Sequence, residues 1–204
     1  MTIRFHRRAA ALLLSAAATL LAGCAMTSTQ STGSAAASTA GAPISADDLR
    51  DLANLAACYT EGIDALGVAN VDAGTAIWRR CFSEDVTFTL SFGAAYSVTC
   101  PGEKCPLPPG MTGLARRVAM ARGTYERAGY VATSHHITSL GIDRPQGDVA
   151  LVKGHLQAWH VRKDGATVIG LGTWDVEARR TAAGWRIVDE KLASPLRVVV
   201  PKTE

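Results

Sequence analysis

From Ser45 onward the chain carries two hydrophobic periods in succession. Leu49, Leu52, Ala56, Tyr59, Ile63 and Leu66 recur at helical spacing and place one apolar stripe on a first helix. Ser45, followed by Asp47 and Asp48, marks its N-terminus, where a hydroxyl can cap free N–H groups and the helix dipole favours acids. Gly67 marks its stop. Asp72 suits the cap of a second helix with Trp78, Cys81 and Phe82 on one face. Val86 to Phe92 alternates apolar residues with Thr and Ser, the pattern of a strand. Residues 93–111, rich in Gly and Pro, read as a loop. Leu114, Val118, Ala121 and Tyr125 form the stripe of a third helix over Gly113 to Ala128.

After Gly129 the period becomes two. Strands are expected over about 132–143, 149–162, 166–180 and 184–194. The turns fall at Pro145-Gln146-Gly147, Asp164-Gly165 and Ala182-Ala183-Gly184. Asp-Gly between alternating runs is the strongest short hairpin signal. Helices first, then a meander of long strands, predict an α+β fold with three N-terminal helices on one face of a curved, mostly antiparallel sheet.

The N-terminal stretch follows neither period. Arg4, Arg7 and Arg8 precede an apolar run from Ala9 to Leu21, which ends in Leu21-Ala22-Gly23-Cys24. A basic segment, a short apolar segment and small residues at a cleavage point compose an export signal. The run is too short to cross a bilayer, which takes about 20 apolar residues. The cysteine after the small pair resembles a bacterial lipobox. The resemblance implies cleavage before Cys24, lipid on its thiol, and a protein of the cell envelope held to a membrane facing the periplasm. Residues 1–23 are then the signal, 24–43 a flexible tether of Ser, Thr, Ala and Gly, 44–196 the domain and 197–204 a tail. A tether of that length spans on the order of 25 Å.

Export changes the charge. Without Arg4, Arg7 and Arg8 the basic count falls from 21 to 18, equal to the 18 acids. No basic stripe remains to bind nucleic acid. The domain has about 150 residues, enough for a single core. With Cys24 lipidated, Cys58, Cys81, Cys100 and Cys105 remain, an even number that suits disulfides in an oxidising compartment. Cys100 with Cys105 closes a short loop, and Cys58 with Cys81 then joins the first two helices. The alternative for Cys58 and Cys81 is a pair of buried thiols.

Four histidines lie beyond the signal: 135, 136, 155 and 160. Strand neighbours point to opposite faces, so His135 and His136 cannot both face the helices. A tight turn at Gln146-Gly147 sets His135 opposite Ala158 and Thr133 opposite His160. His135 and His160 are then diagonal neighbours about 5–8 Å apart on one face. Ile137, Val152, Leu156 and Ala158 share that face and make it the concave one. Carrying the count through Asp164-Gly165 adds Ile169, Leu171, Thr173 and Asp175. His136, His155, Gln157 and Trp159 fall outside. A slip of one residue would exchange His160 for His155.

Five short motifs occur in order: Tyr59-x4-Asp64; Phe82-Ser83-Glu84-Asp85; Thr133-Ser134-His135 running to Ser139; Gly172-Thr173-Trp174-Asp175; and Gly184-Trp185-Arg186-Ile187. Together they resemble the SnoaL-like branch of the nuclear-transport-factor-2-like superfamily. The chain departs from that pattern with Ser139 in place of Asn, Trp174 in place of Tyr, and a longer 93–111 loop. The resemblance implies a cone-shaped α+β barrel with an open pocket. It also implies His135 as general acid/base, with Asp64 orienting it or sharing the proton work; a histidine titrates near neutrality and suits that task. The other reading makes His135 a structural histidine and Asp64 a helix end.

Tyr59, Trp78, Phe92, His160 and Asp175 complete the expected ligand-binding set. His135, His160 and Asp175 also have metal-ligand chemistry, but no spacing fixes such a site, and the expectation is chemistry without metal or cofactor. Arg116, Arg117, Arg122 and Arg127 read as a solvated helix face. Two functions follow from this reading. One is a lyase or isomerase acting on a small apolar carbonyl compound. The other is a non-catalytic envelope lipoprotein that binds a small hydrophobic ligand or a protein partner. The outer sheet face is the candidate surface for a homodimer.

Overall fold

The computed structural model describes residues 44–92, 97–100 and 110–202. The export signal, Cys24, the tether and Cys105 lie outside these residues, and with them the expected lipid site and the expected Cys100–Cys105 bridge. The elements are α1 (Ala46–Gly67), α2 (Val71–Trp78), β1 (Phe82–Ser91), β2 (Ser97–Cys100), α3 (Gly113–Ala128), β3 (Tyr130–Gln146), β4 (Val149–Arg162), β5 (Thr167–Thr181) and β6 (Gly184–Val200).

Ser45 caps α1 in a full capping box with Asp48. Asp48 does more: its carboxylate accepts from the Trp185 indole at 3.0 Å and from Arg180, tying the helix start to the sheet. α2 is capped by Asn70, whose side chain accepts from the Ala73 N–H at 3.3 Å, and Asp72 lies in its first turn. The helix ends at Trp78, so Cys81 and Phe82 leave it and Phe82 opens β1. All three are buried regardless. The stretch read as loop contains β2, which pairs antiparallel with β1. β6 runs through Arg197 to Val200, pairing with Gly170 to Thr167 of β5, where a tail was expected. The expected Cys58–Cys81 disulfide is present and links α1 to the start of β1.

The strands form one sheet in the order β2-β1-β6-β5-β4-β3, antiparallel except for β1 beside β6. The sheet is curved and does not close, so the α+β expectation holds. The helices pack on its concave side. Leu52, Leu55 and Leu66 of α1 and Leu114 and Ala121 of α3 join Val152, Trp174, Val176, Ala178 and Ile187 of the sheet in a single core. Two α1 glycines permit the close approach. A Cβ on Gly62 would fall 2.2 Å from the Trp78 ring, and one on Gly67 would fall 2.3 Å from Thr133 Oγ1.

Register decides which side chains face the helices. His135 pairs with Ala158 and Thr133 with His160, as the period implied. The route differs. The turn comes one residue later, with Gln146 paired to Val149, and two irregularities in β3 restore the register before Thr138. The β4–β5 turn overturns part of the expectation. Arg162 N–H bonds the Ala166 carbonyl at 2.9 Å, so the loop is Lys163-Asp164-Gly165, three residues long. Gly165 takes φ +83°, the left-handed position that such a loop requires. This moves every β5 residue by one. Val168, Trp174 and Val176 are buried on the concave side, while Ile169, Leu171, Thr173 and Asp175 face outward.

Outside, Trp159 and Val161 of β4 and Leu196, Val198 and Val200 of β6 are exposed. Among the described residues, no helix is long and apolar enough to cross a membrane.

Candidate active site

A cavity of about 140 Å³ lies between the concave face and the helices. Its walls are mostly apolar: Ile63, Leu90, Met120, Leu156 and Leu192, with Phe92 among them. Polar side chains interrupt them, four buried groupings among them.

The first is His135 with Asp64. α1 must cover the sheet to bury its apolar stripe, and its last turn crosses β3. Asp64 therefore meets the strand backbone. Its Oδ2 accepts the His135 N–H at 3.0 Å, and its Oδ1 accepts the Thr133 hydroxyl at 3.0 Å. Oδ1 also lies 2.6 Å from His135 Nδ1. Burial alone would raise the Asp64 pKa, but hydrogen bonds to His135 and Thr133 and the His135 charge bring it below the ordinary carboxylate range. An ionised carboxylate only accepts, so Nδ1 carries the proton. Nε2 then presents its lone pair at the cavity, 3.3 Å from the Tyr125 hydroxyl. Burial pushes the Tyr125 phenol well above its ordinary value, so it remains a donor. His135 is buried yet lines the cavity, with Asp64 behind it.

The second is His160, whose ring centroid is 5.1 Å from that of His135. It stacks on Tyr130 at 4.4 Å and 10°. Burial, the adjacent His135 and the Arg197 charge lower its pKa to about 3. It is therefore neutral at physiological pH, and its buried Nδ1 has no hydrogen-bond partner among the described residues.

The third is a buried ion pair. Arg117 was expected in a solvated face, but it stands three residues from Leu114 and four from Ala121, inside the apolar stripe of α3. It is 2% exposed. Its Nε donates to Glu190 at 2.6 Å and its Nη2 at 3.2 Å, and its guanidinium lies 4.9 Å from the Trp78 ring centre. Glu190 reaches the interior because of a shift between Ile187 and Asp189 in the β5–β6 register. The extra residue reverses the alternation of β6, so Glu190, Leu192 and Ser194 are buried in place of Asp189, Lys191 and Ala193. The sequence signal for Arg117 was its helical position; for Glu190 there was none in simple alternation.

The fourth is Tyr59, which lines the cavity beside Arg117. Burial, aided by the Glu190 charge, pushes its phenol up. Of the remaining expected residues, Phe92 lines the cavity. Trp78 does not: it is fully buried behind Tyr59, its indole donating to the Tyr59 carbonyl at 3.1 Å. Asp175 lies on the outer face beside Lys153 and Lys191, so His135, His160 and Asp175 do not share a metal site. His136 and His155 are exposed on the outer face. Among the described residues no group of three or more His, Cys, Asp or Glu side chains is arranged to hold a metal.

Comparison with known proteins gives three findings. Residues 45–190 match the SnoaL-like domain family. No curated protein matches the chain. Several solved structures share the fold. The Kfla4162 protein from Kribbella flavida is 24% identical, with TM-score 0.54 over 74% of this chain and 93% of its own. A candidate scytalone dehydratase from Novosphingobium aromaticivorans is 17% identical, with TM-score 0.53 over 78% and 96%. A hexachlorocyclohexane dehydrochlorinase from Novosphingobium barchaimii is 10% identical, with TM-score 0.54 over 78% and 91%.

Proposed function

Because this chain belongs to the SnoaL-like domain family, we propose that it is a cofactor-free lyase or isomerase whose base is His135, acting on a small apolar carbonyl compound. The observation that carries the reading is the 2.6 Å contact between Asp64 and His135 Nδ1, with Nε2 left to face an apolar cavity. Nε2 takes a proton from a carbon beside the carbonyl, and the C–H electron pair moves toward the carbonyl oxygen as an enolate. The Tyr125 hydroxyl, 3.3 Å from Nε2, is the donor we assign to that oxygen. Asp64 stabilises the imidazolium that forms and holds its ring in place. The same Nε2–H then returns the proton, either to another carbon of the substrate, or to a leaving group whose bond to the β-carbon breaks with its electron pair as the enolate collapses to an unsaturated carbonyl compound. The dehydratase and dehydrochlorinase names of two structural relatives both denote eliminations, which accords with this chemistry.

The domain is proposed to work from a membrane surface, anchored through Cys24 by the tether. The Leu21-Ala22-Gly23-Cys24 sequence supports this, as does a disulfide, which persists in oxidising compartments. Cys24→Ser should move the protein out of the detergent phase; unchanged partition would sink the anchor.

Proton abstraction can be tested without knowing the substrate. In D2O, the protein should speed loss of the α-protons of small cyclic ketones, followed by NMR, and His135→Gln should abolish it. No exchange across such a panel would leave the binding-module reading, which the apolar walls of the cavity favour.

A further inference from the structure

We propose that Arg197 makes the mouth of this cavity an anion-binding subsite, so that the ligand is a small apolar molecule carrying one carboxylate. The proposal deepens the reading of His135 as base and rests on it for the remainder of the ligand.

Of the two arginines at the cavity, one has a carboxylate against it and one does not. Arg117 is neutralised by Glu190 at 2.6 Å, while the Asp64 carboxylate is engaged by His135 and Thr133. His160 carries no charge at neutral pH. Arg197 remains. It lines the cavity and is exposed to solvent. Among the described residues its guanidinium has a hydrogen bond to the Tyr130 hydroxyl at 2.5 Å and no carboxylate partner.

The arginine is also held in place. It pairs with Gly170 on β5, on the concave side, where a Cβ would fall 2.8 Å from the Ser194 hydroxyl. Tyr130, which accepts its hydrogen bond, is stacked on His160. The guanidinium is thus fixed through a neutral hydroxyl and an aromatic stack. Such a mount restricts the side chain without cancelling its charge, and a planar guanidinium matches a carboxylate with two parallel hydrogen bonds. Beside it lies the unpartnered buried Nδ1 of His160, a polar atom that a second oxygen or hydroxyl of the ligand would satisfy. Tyr130 stacks on His160, and the His160 and His135 ring centroids are 5.1 Å apart, so cation, neutral polar group and base follow one another along the cavity. This selects a ligand with its acid group outward and its reacting carbon inward.

The test compares phenylacetate with phenylacetamide, which share a shape and differ in charge, by titration calorimetry on the full chain. Phenylacetate should bind about tenfold tighter, as a charge-assisted hydrogen bond implies. Arg197→Gln should erase the difference, Arg197→Lys should keep most of it, and added salt should shrink it. Equal affinity for the two probes, no binding of phenylacetate, or a preference that survives in Arg197→Gln would overturn the proposal. His135→Gln separates it from the base assignment. That variant should keep the carboxylate preference while losing proton exchange. Preference without exchange in the unaltered protein defeats the base alone, and exchange without preference defeats the anion subsite alone.

Discussion

Asp64 and His135, 71 residues apart, meet at 2.6 Å through Nδ1 and again at 3.0 Å through the His135 backbone N–H. One carboxylate thus sets both the position of the strand and the tautomer of the ring it carries. Asp64→Asn keeps the shape but permits the amide to donate to Nδ1, which favours the opposite tautomer. Proton-exchange activity should fall by about 100-fold or more, with little change in affinity for a neutral ligand. An Asp64→Asn protein with full activity would remove Asp64 from the mechanism.

Glu190 is the sole carboxylate facing Arg117 among the described residues, and both are almost fully buried. Glu190→Gln leaves a buried cation without its counter-charge, and unfolding in urea should show a loss of about 3–5 kcal/mol. The double variant Arg117→Met, Glu190→Leu should recover much of that loss, because apolar residues of similar size can replace a buried pair. A Glu190→Gln protein of unchanged midpoint would mean that Arg117 finds water.

The lowered pKa of His160, about 3 against 6.5 in an unfolded chain, fixes a pH dependence. Between these values the unfolded chain binds a proton that the folded protein refuses. Stability is therefore full above about pH 6.5 and declines as pH falls toward 3. Asp64, also lowered, adds a loss of the same sign at the acid end of that window. His160→Gln should flatten the upper part of the decline, measured as denaturation midpoints across pH. An unaltered slope would place the acid sensitivity elsewhere.

Ser139 sits in the irregular part of β3 at φ +53°, a region that Asn tolerates better than Ser. Ser139→Asn should raise stability by about 0.5 kcal/mol. The same change at Ser134, in the regular ladder, should not.

Much of this arrangement was legible in the sequence. The α1 stripe together with the position of Asp64, and the alternation around His135 and His160, were enough to place three site residues. What escaped was parity. One extra loop residue before Gly165 exchanged Asp175 for Trp174, and one extra residue beyond Ile187 brought Glu190 inside. Period-two counting propagates such an error along the whole strand, because a single insertion reverses the faces. Arg117 departs from its expected solvated face for another reason: it stands in the apolar stripe of α3, and Glu190 across the core offsets the charge that solvent would otherwise hold.

The distance in sequence between α1 and β3 has a consequence for folding. The hairpins of β3 to β6 close between neighbours, whereas α1 must return across most of the chain, and such contacts form slowly. The His135–Asp64 pair then arises only when α1 docks. Until that step the concave face stays uncovered and adhesive, a hazard for an intermediate. The Cys58–Cys81 bridge keeps α1 tethered to the start of β1, so an undocked helix searches only a short radius. Recovery of activity after refolding would therefore report the final docking event, later than any signal from the sheet.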